Sequence, residues 1–212
     1  MPIDDIKAVI NHRAPETVTL RPATPADAPA LALLGGATFL EAFTWMLPGP
    51  DIIAHAAKHH TIAAYQHYFD DPSTRITLTI TGSAIGFDDA PGAPVGYAML
   101  CTPELPTFNV LPTDIELKRI YLFSRFRCAP VLSPAGAPIP NLRPAQALLD
   151  AAVADARSLH RNRLLLGTHA GNLPAIAFYR RNAFAEAGTR TFQVGAQVCS
   201  DLIFAKNLEF TA

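Results

Sequence analysis

The sequence predicts an α/β or α+β fold in which helices pack around a mixed β-sheet. Three short runs near the middle of the chain alternate apolar and polar residues, as the strands of a meander do. Strand–helix pairs follow them, and the last runs alternate again. Half of the 212 residues are hydrophobic and 17% are charged, which favours a packed core over disorder.

The first 70 residues are predicted to hold one strand and two helices. Residues 18–21 alternate like a strand. The motif TPAD at 24–27 supplies a cap residue, a proline in the first turn and an acid three residues after the cap, so a helix is predicted over 25–43. Two glycines at 35–36 weaken the middle of this helix. A second helix is predicted over 51–69, with its first residue as the N-cap.

From residue 75 onward, the pattern gives the meander and then the strand–helix pairs. The predicted elements are strands at 75–81, 95–101 and 114–123, a helix at 144–159, a strand at 164–168, a helix at 174–182, and a final hairpin at 191–194 and 198–204. Strict alternation along the third strand would place Ile115, Leu117, Arg119 and Tyr121 on one face, and Glu116, Lys118, Ile120 and Leu122 on the other.

Length, charge and cysteine content limit the class of protein. The length predicts a single domain at 17–212 after a lead-in at 1–16, which lacks the apolar core of a signal peptide. A net charge of −1 gives no reason to expect nucleic acid or a membrane as a partner. Cys101, Cys128 and Cys199 are odd in number and widely spaced, which argues against a disulfide framework and favours a cytoplasmic setting.

Four other polar residues are weighed for chemistry and set aside. His55 and His59 are one helical turn apart, which is a metal-ligand spacing, but no third ligand is placed to complete a site. We therefore interpret them as packed or exposed histidines and expect no metal. Cys128 has no evident histidine partner, so a nucleophilic role is not expected. His169 follows the predicted strand at 164–168 and reads by default as an ordinary polar loop residue, although it could face a cleft.

Local motifs and element order together carry a resemblance to a known family. The sharpest motifs are ELKRIYLF at 116–123, ALLDAAVADAR at 147–157 and NLPAIAFYRRNAF at 172–184. From about Val18 to Leu208 the chain resembles the GNAT superfamily of acyl-CoA-dependent N-acyltransferases. The tail, with TFQVG at 191–195 and SDLIF at 200–204, is similar to a branch that includes spermidine-type polyamine acetyltransferases. The resemblance implies a mixed central sheet with helices on both faces.

The resemblance also implies acetyl-CoA as co-substrate. In this superfamily the strand matching 116–123 splays from its neighbour, and its free backbone groups bind the pantetheine arm like an added strand. Backbone N–H groups of the next loop and helix N-terminus cradle the pyrophosphate. The residues assigned to the cofactor in this way are Ile120, Tyr121, Leu122, Arg127, Arg143, Ala145, Gln146, Asn172 and Tyr179.

The pyrophosphate loop departs from the family pattern. A Pro-rich segment at 128–143 makes it about a dozen residues longer than the family norm. Arg143 stands where the pattern has a glycine, and Pro144 removes an N–H donor. Either the Arg143 guanidinium replaces the lost backbone contacts, or the loop has decayed and CoA binding is weak or absent. The second reading would make the chain a non-catalytic module that binds a ligand or a partner protein.

The resemblance implies acetyl transfer to a primary amine of a small molecule, such as an amino acid or a polyamine, by direct attack in a ternary complex. Tyr179 matches the family's general acid near the thioester sulfur, with a buried structural tyrosine as the alternative. Glu116 is the predicted general base, directly or through water, with a solvated strand-end carboxylate as the alternative. Further candidates are Asp114 as a weaker base, and Glu41 and Tyr97 for the acceptor pocket. Homodimers are common for this fold, and the sequence leaves that question open.

Overall fold

A computed structural model describes residues 16–82, 90–105, 108–194 and 197–208. Within these residues seven strands form one sheet in the order β1-β2-β3-β4-β5-β7-β6. The strands are β1 (Val18–Pro22), β2 (Arg75–Thr81), β3 (Pro94–Cys101), β4 (Asp114–Leu122), β5 (Arg163–His169), β6 (Ala185–Val194) and β7 (Gln197–Asn207). The helices are α1 (Ala28–Phe43), α2 (Gly49–His59), α3 (Ile62–Asp70), α4 (Pro144–Ser158) and α5 (Leu173–Arg181). None of the described helices is long and apolar enough to span a bilayer.

The sheet is mixed and has a packed layer on each face, as predicted. Neighbouring strands are antiparallel except β4 and β5, which are parallel. Alternate residues of β3 face opposite sides, so Ala98 and Leu100 pack against Leu148 of α4, whereas Tyr97 and Met99 pack with Leu31 of α1. The observed architecture therefore agrees with the GNAT-like α/β prediction.

The predicted helix over 51–69 is wrong in one respect, because two helices occupy that stretch. The chain breaks at His60, and the Thr61 hydroxyl then caps α3 by accepting a hydrogen bond from the Ala64 N–H at 3.1 Å. The His60 side chain turns inward, where its Nδ1 lies 3.0 Å from the Tyr65 hydroxyl. The predicted cap at Asp51 is also wrong, because α2 begins at Gly49 with Pro48 as its N-cap.

Strict alternation along β4 is also wrong beyond Leu117. Leu100 of β3 pairs with Leu117 and Met99 pairs with Arg119, so Lys118 is an extra residue in a β-bulge. The bulge reverses the facing of every residue after it. Ile120 consequently packs with Leu117 in the α4 core, and Arg119 moves to the face that α1 and α3 cover.

The Pro-rich segment at 128–143 is packed against the edge of the sheet. Val18 of β1 donates a backbone hydrogen bond to Pro130 (2.9 Å) and accepts one from Leu132 (2.8 Å). Val131 is buried between them in an apolar cluster with Val18 and Val95. The segment thus covers the β1 edge, which agrees poorly with a decayed loop.

Candidate functional site

A cleft opens where β4 and β5 part. Their parallel pairing covers only Asp114–Glu116 on β4 and Arg163–Leu165 on β5. After that point β4 continues along β3 and β5 continues along β7, so the two strands diverge. The space between and around them is a cleft of about 600 Å³, a volume typical of small-molecule sites.

The backbone of β4 offers unused hydrogen-bonding groups to this cleft. The Phe123 N–H donates to the Val95 carbonyl at 3.0 Å, which turns that residue toward β3. Because backbone groups alternate sides along a strand, those of Tyr121 also face β3, and those of Ile120 and Leu122 face the gap. An extended ligand in the gap can therefore pair with β4 as an additional strand does.

One end of the cleft lies at the N-terminus of α4. Arg127 and Ala145 line this end. The first bond of the helix runs from the Ala147 N–H to the Arg143 carbonyl at 2.9 Å, so the N–H groups of Ala145 and Gln146 are not used within the helix. These groups and the helix dipole favour an anion, although Pro144 contributes no N–H.

The other wall of the cleft is built by α5. Asn172 is the N-cap of this helix, and its Oδ1 accepts a hydrogen bond from the Ala175 N–H at 3.3 Å. Tyr179 is 7% exposed and its ring contacts Phe184 and Phe204. Its hydroxyl has no hydrogen-bond partner in the part of the chain that the structure describes. Burial, and to a lesser degree Tyr121, raise the pKa of Tyr179, so the phenol keeps its proton at neutral pH.

Comparison with known proteins agrees with this geometry. No family model matches the sequence. A protein of Mycobacterium tuberculosis named "Uncharacterized N-acetyltransferase" is 29% identical over 182 residues, which cover 86% of this chain and 98% of the relative. Among solved structures, the PaiA N-acetyltransferase of Thermoplasma acidophilum in complex with coenzyme A has a TM-score of 0.61 at 14% identity, covering 90% of this chain and 99% of that one. An acetyltransferase of the GNAT family from Staphylococcus aureus has a TM-score of 0.60 at 14% identity, covering 91% and 100%.

The chain has the fold of the GNAT acetyltransferases. The splay of β4 from β5, which the superfamily resemblance implied, is present. Most of the residues assigned to the GNAT cofactor site come together along the cleft. They are Ile120, Tyr121, Leu122, Arg127, Ala145, Asn172 and Tyr179.

Two residues assigned to the GNAT pyrophosphate site have side chains that are engaged elsewhere. Arg143 Nη1 donates to the Cys128 carbonyl at 2.8 Å, away from the cleft. Its backbone is extended, with φ of −103°, so a side chain at this position costs no strain. Gln146 Nε2 donates to Asp150 and Asn182, each at 2.8 Å. Neither residue is among those that line the cleft.

Glu116, the predicted base, does not line the cleft. It is 1% exposed, and its Oε2 accepts a hydrogen bond from the Glu104 N–H at 2.7 Å. Its Oε1 lies 3.7 Å from Lys118 Nζ, which in turn lies 3.0 Å from the Glu104 carboxylate. Glu104 and Lys118 do line the cleft, so Glu116 reaches it only through them. The weaker candidate Asp114 is fully engaged by Arg163.

Of the remaining candidates for the acceptor pocket, two line the cleft and one does not. Glu41 lines the cleft and accepts hydrogen bonds from Ser124 N–H (3.0 Å) and Oγ (2.9 Å), which ties α1 to the end of β4. His169 also lines the cleft, contrary to its default reading as a loop residue. Tyr97 does not, because its hydroxyl is buried against the Tyr65 hydroxyl at 2.7 Å.

Histidines from α2 form part of the cleft wall. The His55 ring stacks on Phe39 at 4.3 Å between centroids and lies 4.5 Å from the ring of His59. Burial, followed by His59 and Arg119, lowers the pKa of His55 to about 4, and burial is also the largest cause of a lowered pKa at His59. Burial and Arg119 lower the pKa of the adjoining His60 to about 3. These imidazoles are therefore neutral at pH 7, and the described residues include no cluster of three or more side chains suited to a metal ion.

Sequence reasoning missed three charged residues of the cleft. Arg190 of β6 and Asp201 of β7 both line the cleft and form an ion pair at 3.0 Å. They are eleven residues apart across a hairpin, and only strand pairing brings them together. The position of Arg119 was also missed, because no sequence pattern predicts the bulge at Lys118. That bulge turns Arg119 toward α3.

Proposed function

We propose that this protein is an N-acetyltransferase that transfers the acetyl group of acetyl-CoA to a primary amine of a small molecule. The observation that carries the proposal is the open gap beside β4, with the free backbone groups of Ile120 and Leu122 on one side and the Tyr179 hydroxyl on the other. The three free cysteines support a reducing, cytoplasmic location as part of the same proposal.

The proposal assigns the pantetheine, the pyrophosphate and the thioester of acetyl-CoA to separate parts of the cleft. The pantetheine arm pairs with the β4 backbone and contacts Asn172, while the pyrophosphate lies on the N–H groups of Ala145 and Gln146 with Arg127 nearby. This places the thioester between the diverging strands, beside Tyr179. Loss of two expected side-chain contacts, at Arg143 and Gln146, leaves these backbone contacts in place.

The proposed reaction is a direct displacement. The neutral amine nitrogen attacks the thioester carbonyl carbon, a C–N bond forms, and the C–S bond breaks. Tyr179 donates its phenolic proton to the leaving sulfur and regains a proton from solvent. The proton lost by the amine passes to a water molecule in the cleft. Glu116 does not contact this water directly but orders it through Lys118 and Glu104.

Calorimetry with CoA tests the proposal. We expect CoA to bind with a dissociation constant in the micromolar range, and ADP, which lacks the pantetheine arm, to bind at least about tenfold more weakly. Acetyl transfer is then measured as thiol release with a panel of amines. Absence of heat and of a thermal shift at millimolar CoA would exclude the proposed enzymatic function. It would favour a non-catalytic module that binds another ligand or a partner protein.

Replacement of Glu116 by glutamine separates its structural and catalytic roles. The change retains shape but removes the charge that faces Lys118, so we expect a loss of about 2 kcal/mol in the free energy of unfolding. The control is Glu104→Gln. The Glu104 side chain is 56% exposed, so this change should lower the free energy of unfolding by less than about 1 kcal/mol. Urea unfolding measures both. If E116Q instead abolished turnover at unchanged stability, Glu116 would be a direct base.

A further inference from the structure

Arg119 is a buried cation that forms no ion pair with a carboxylate in residues 16–82, 90–105, 108–194 and 197–208. Its side chain lines the cleft, although the residue is only 9% exposed. Nη2 donates to the His59 carbonyl at 3.2 Å, and the guanidinium lies 5.2 Å and 5.3 Å from the ring centroids of Tyr65 and Tyr68. Nη1 is buried without a hydrogen-bond partner among the described residues.

This arrangement is unfavourable for the protein alone. A guanidinium remains charged at all physiological pH values, and burying a charge without a counter-ion costs free energy. The other cations on this side of the cleft are paired: Lys118 with Glu104, and Arg190 with Asp201, each at 3.0 Å. The nearby imidazoles of His55 and His59 are neutral at pH 7. Among the described residues that line this side of the cleft, Arg119 is therefore the one cation without an anionic partner.

The position of Arg119 separates it from the cofactor phosphates. Its guanidinium lies over rings of α3, on the face of the sheet that α1 and α3 cover. The α4 N-terminus, with Ala145, packs on the opposite face. An anion that reaches Arg119 therefore belongs to the second ligand of the cleft, the acceptor.

We propose that Arg119 binds a carboxylate of the acceptor, so that the acceptor is an amino acid or another amine that carries a carboxylate. This inference rests on the proposed acetyl transfer and specifies its substrate class. One guanidinium matches one carboxylate in charge and can bind it with two parallel hydrogen bonds. A phosphate dianion would need a second free cation, and Lys118 and Arg190 are already paired. A polyamine would place positive charge against Arg119.

Matched amine pairs test the substrate class. Ornithine and putrescine, lysine and cadaverine, and arginine and agmatine differ only in the carboxylate. We expect the wild-type protein to use the carboxylate-bearing member of at least one pair with a kcat/KM at least about tenfold higher. Phosphoethanolamine against ethanolamine serves as the phosphate pair. Equal use of both members of every accepted pair, or a preference only for phosphoethanolamine, would overturn the inference.

Variants at Arg119 identify the residue responsible. Arg119→Met should abolish the preference within each pair, mainly by raising KM for the carboxylate-bearing amine, and Arg119→Lys should restore part of it. The melting temperature of R119M should equal or exceed that of the wild type, because the change removes an uncompensated buried charge. Arg181→Met, at an exposed position on α5, is the control and should retain the full preference. A preference that survives in folded R119M would contradict the assignment.

A binding experiment tests the anion site independently of the proposed activity. N-acetylornithine and N-acetyllysine are titrated against their carboxamide forms by calorimetry, without CoA. If no amine is acetylated but the carboxylate forms bind more tightly in an Arg119-dependent way, the proposed activity fails and the anion site stands. If amines are acetylated but neither turnover nor binding responds to the carboxylate, the anion site fails alone.

Discussion

Replacement of Tyr179 by phenylalanine is expected to lower kcat for acetyl transfer by about a hundredfold or more, because general acid catalysis contributes on this scale. The change removes one hydroxyl from a ring that Phe184 and Phe204 hold in place. CoA affinity should therefore change little. Steady-state kinetics with the best amine of the panel, together with CoA calorimetry, measure the two effects separately.

The control for this variant is Tyr97→Phe. Tyr97 is also a buried tyrosine, but its hydroxyl bonds to Tyr65 and does not reach the cleft. We expect Y97F to lose about 1 kcal/mol of stability and to retain its kcat within about twofold. If Y179F kept the wild-type kcat, Tyr179 would not be the general acid and would be a structural aromatic residue.

Replacement of Gly35 by alanine is expected to give the largest loss of stability. A Cβ at this position would lie 2.2 Å from the Tyr65 hydroxyl and 2.3 Å from His60 Nδ1. Those two atoms hydrogen-bond to each other in the core, so the methyl group must break that contact and shift the side chains. Overpacking and a lost buried hydrogen bond together predict a loss of about 3 kcal/mol in the free energy of unfolding.

Gly36→Ala is the matched control on the next residue of α1. Its Cβ would meet only the His60 Cβ, at 3.9 Å, which is an ordinary contact. We expect this change to raise the free energy of unfolding by about 0.5 to 1 kcal/mol, because alanine has a higher helix propensity than glycine. Urea unfolding of both variants measures the difference. Equal stability of G35A and G36A would show that α1 does not depend on this close approach.

Local patterns sufficed for several helix starts and for the central strands. The helix predicted over 174–182 is α5, which begins one residue earlier, at Leu173, with Asn172 as its N-cap. The helix predicted over 144–159 is α4, Pro144–Ser158. The capping box at Thr24 is present, with the Thr24 N–H donating to Asp27 at 2.8 Å. Alternation also located the central strands within one or two residues.

The charged residues of the cleft could not be located from such patterns. The alternation rule fails in β4 because the extra residue, Lys118, is defined only by the register against β3. The predicted base Glu116 is withdrawn from the cleft by the Glu104 N–H, twelve residues away. The terminal hairpin is longer than its alternating segments suggested, and its length is what brings Arg190 to Asp201.

The sequence by itself determined the fold class, the capping box at Thr24 and the bounds of the central strands. The reason is that capping, periodicity and proline placement act between residues a few positions apart, where side-chain chemistry decides the local conformation. The tertiary structure decided which charges are neutralised. Arg119 lies beside Tyr65, Tyr68 and the His59 carbonyl only after β4 and α3 pack together, and its lack of an anionic partner exists only in that packed state.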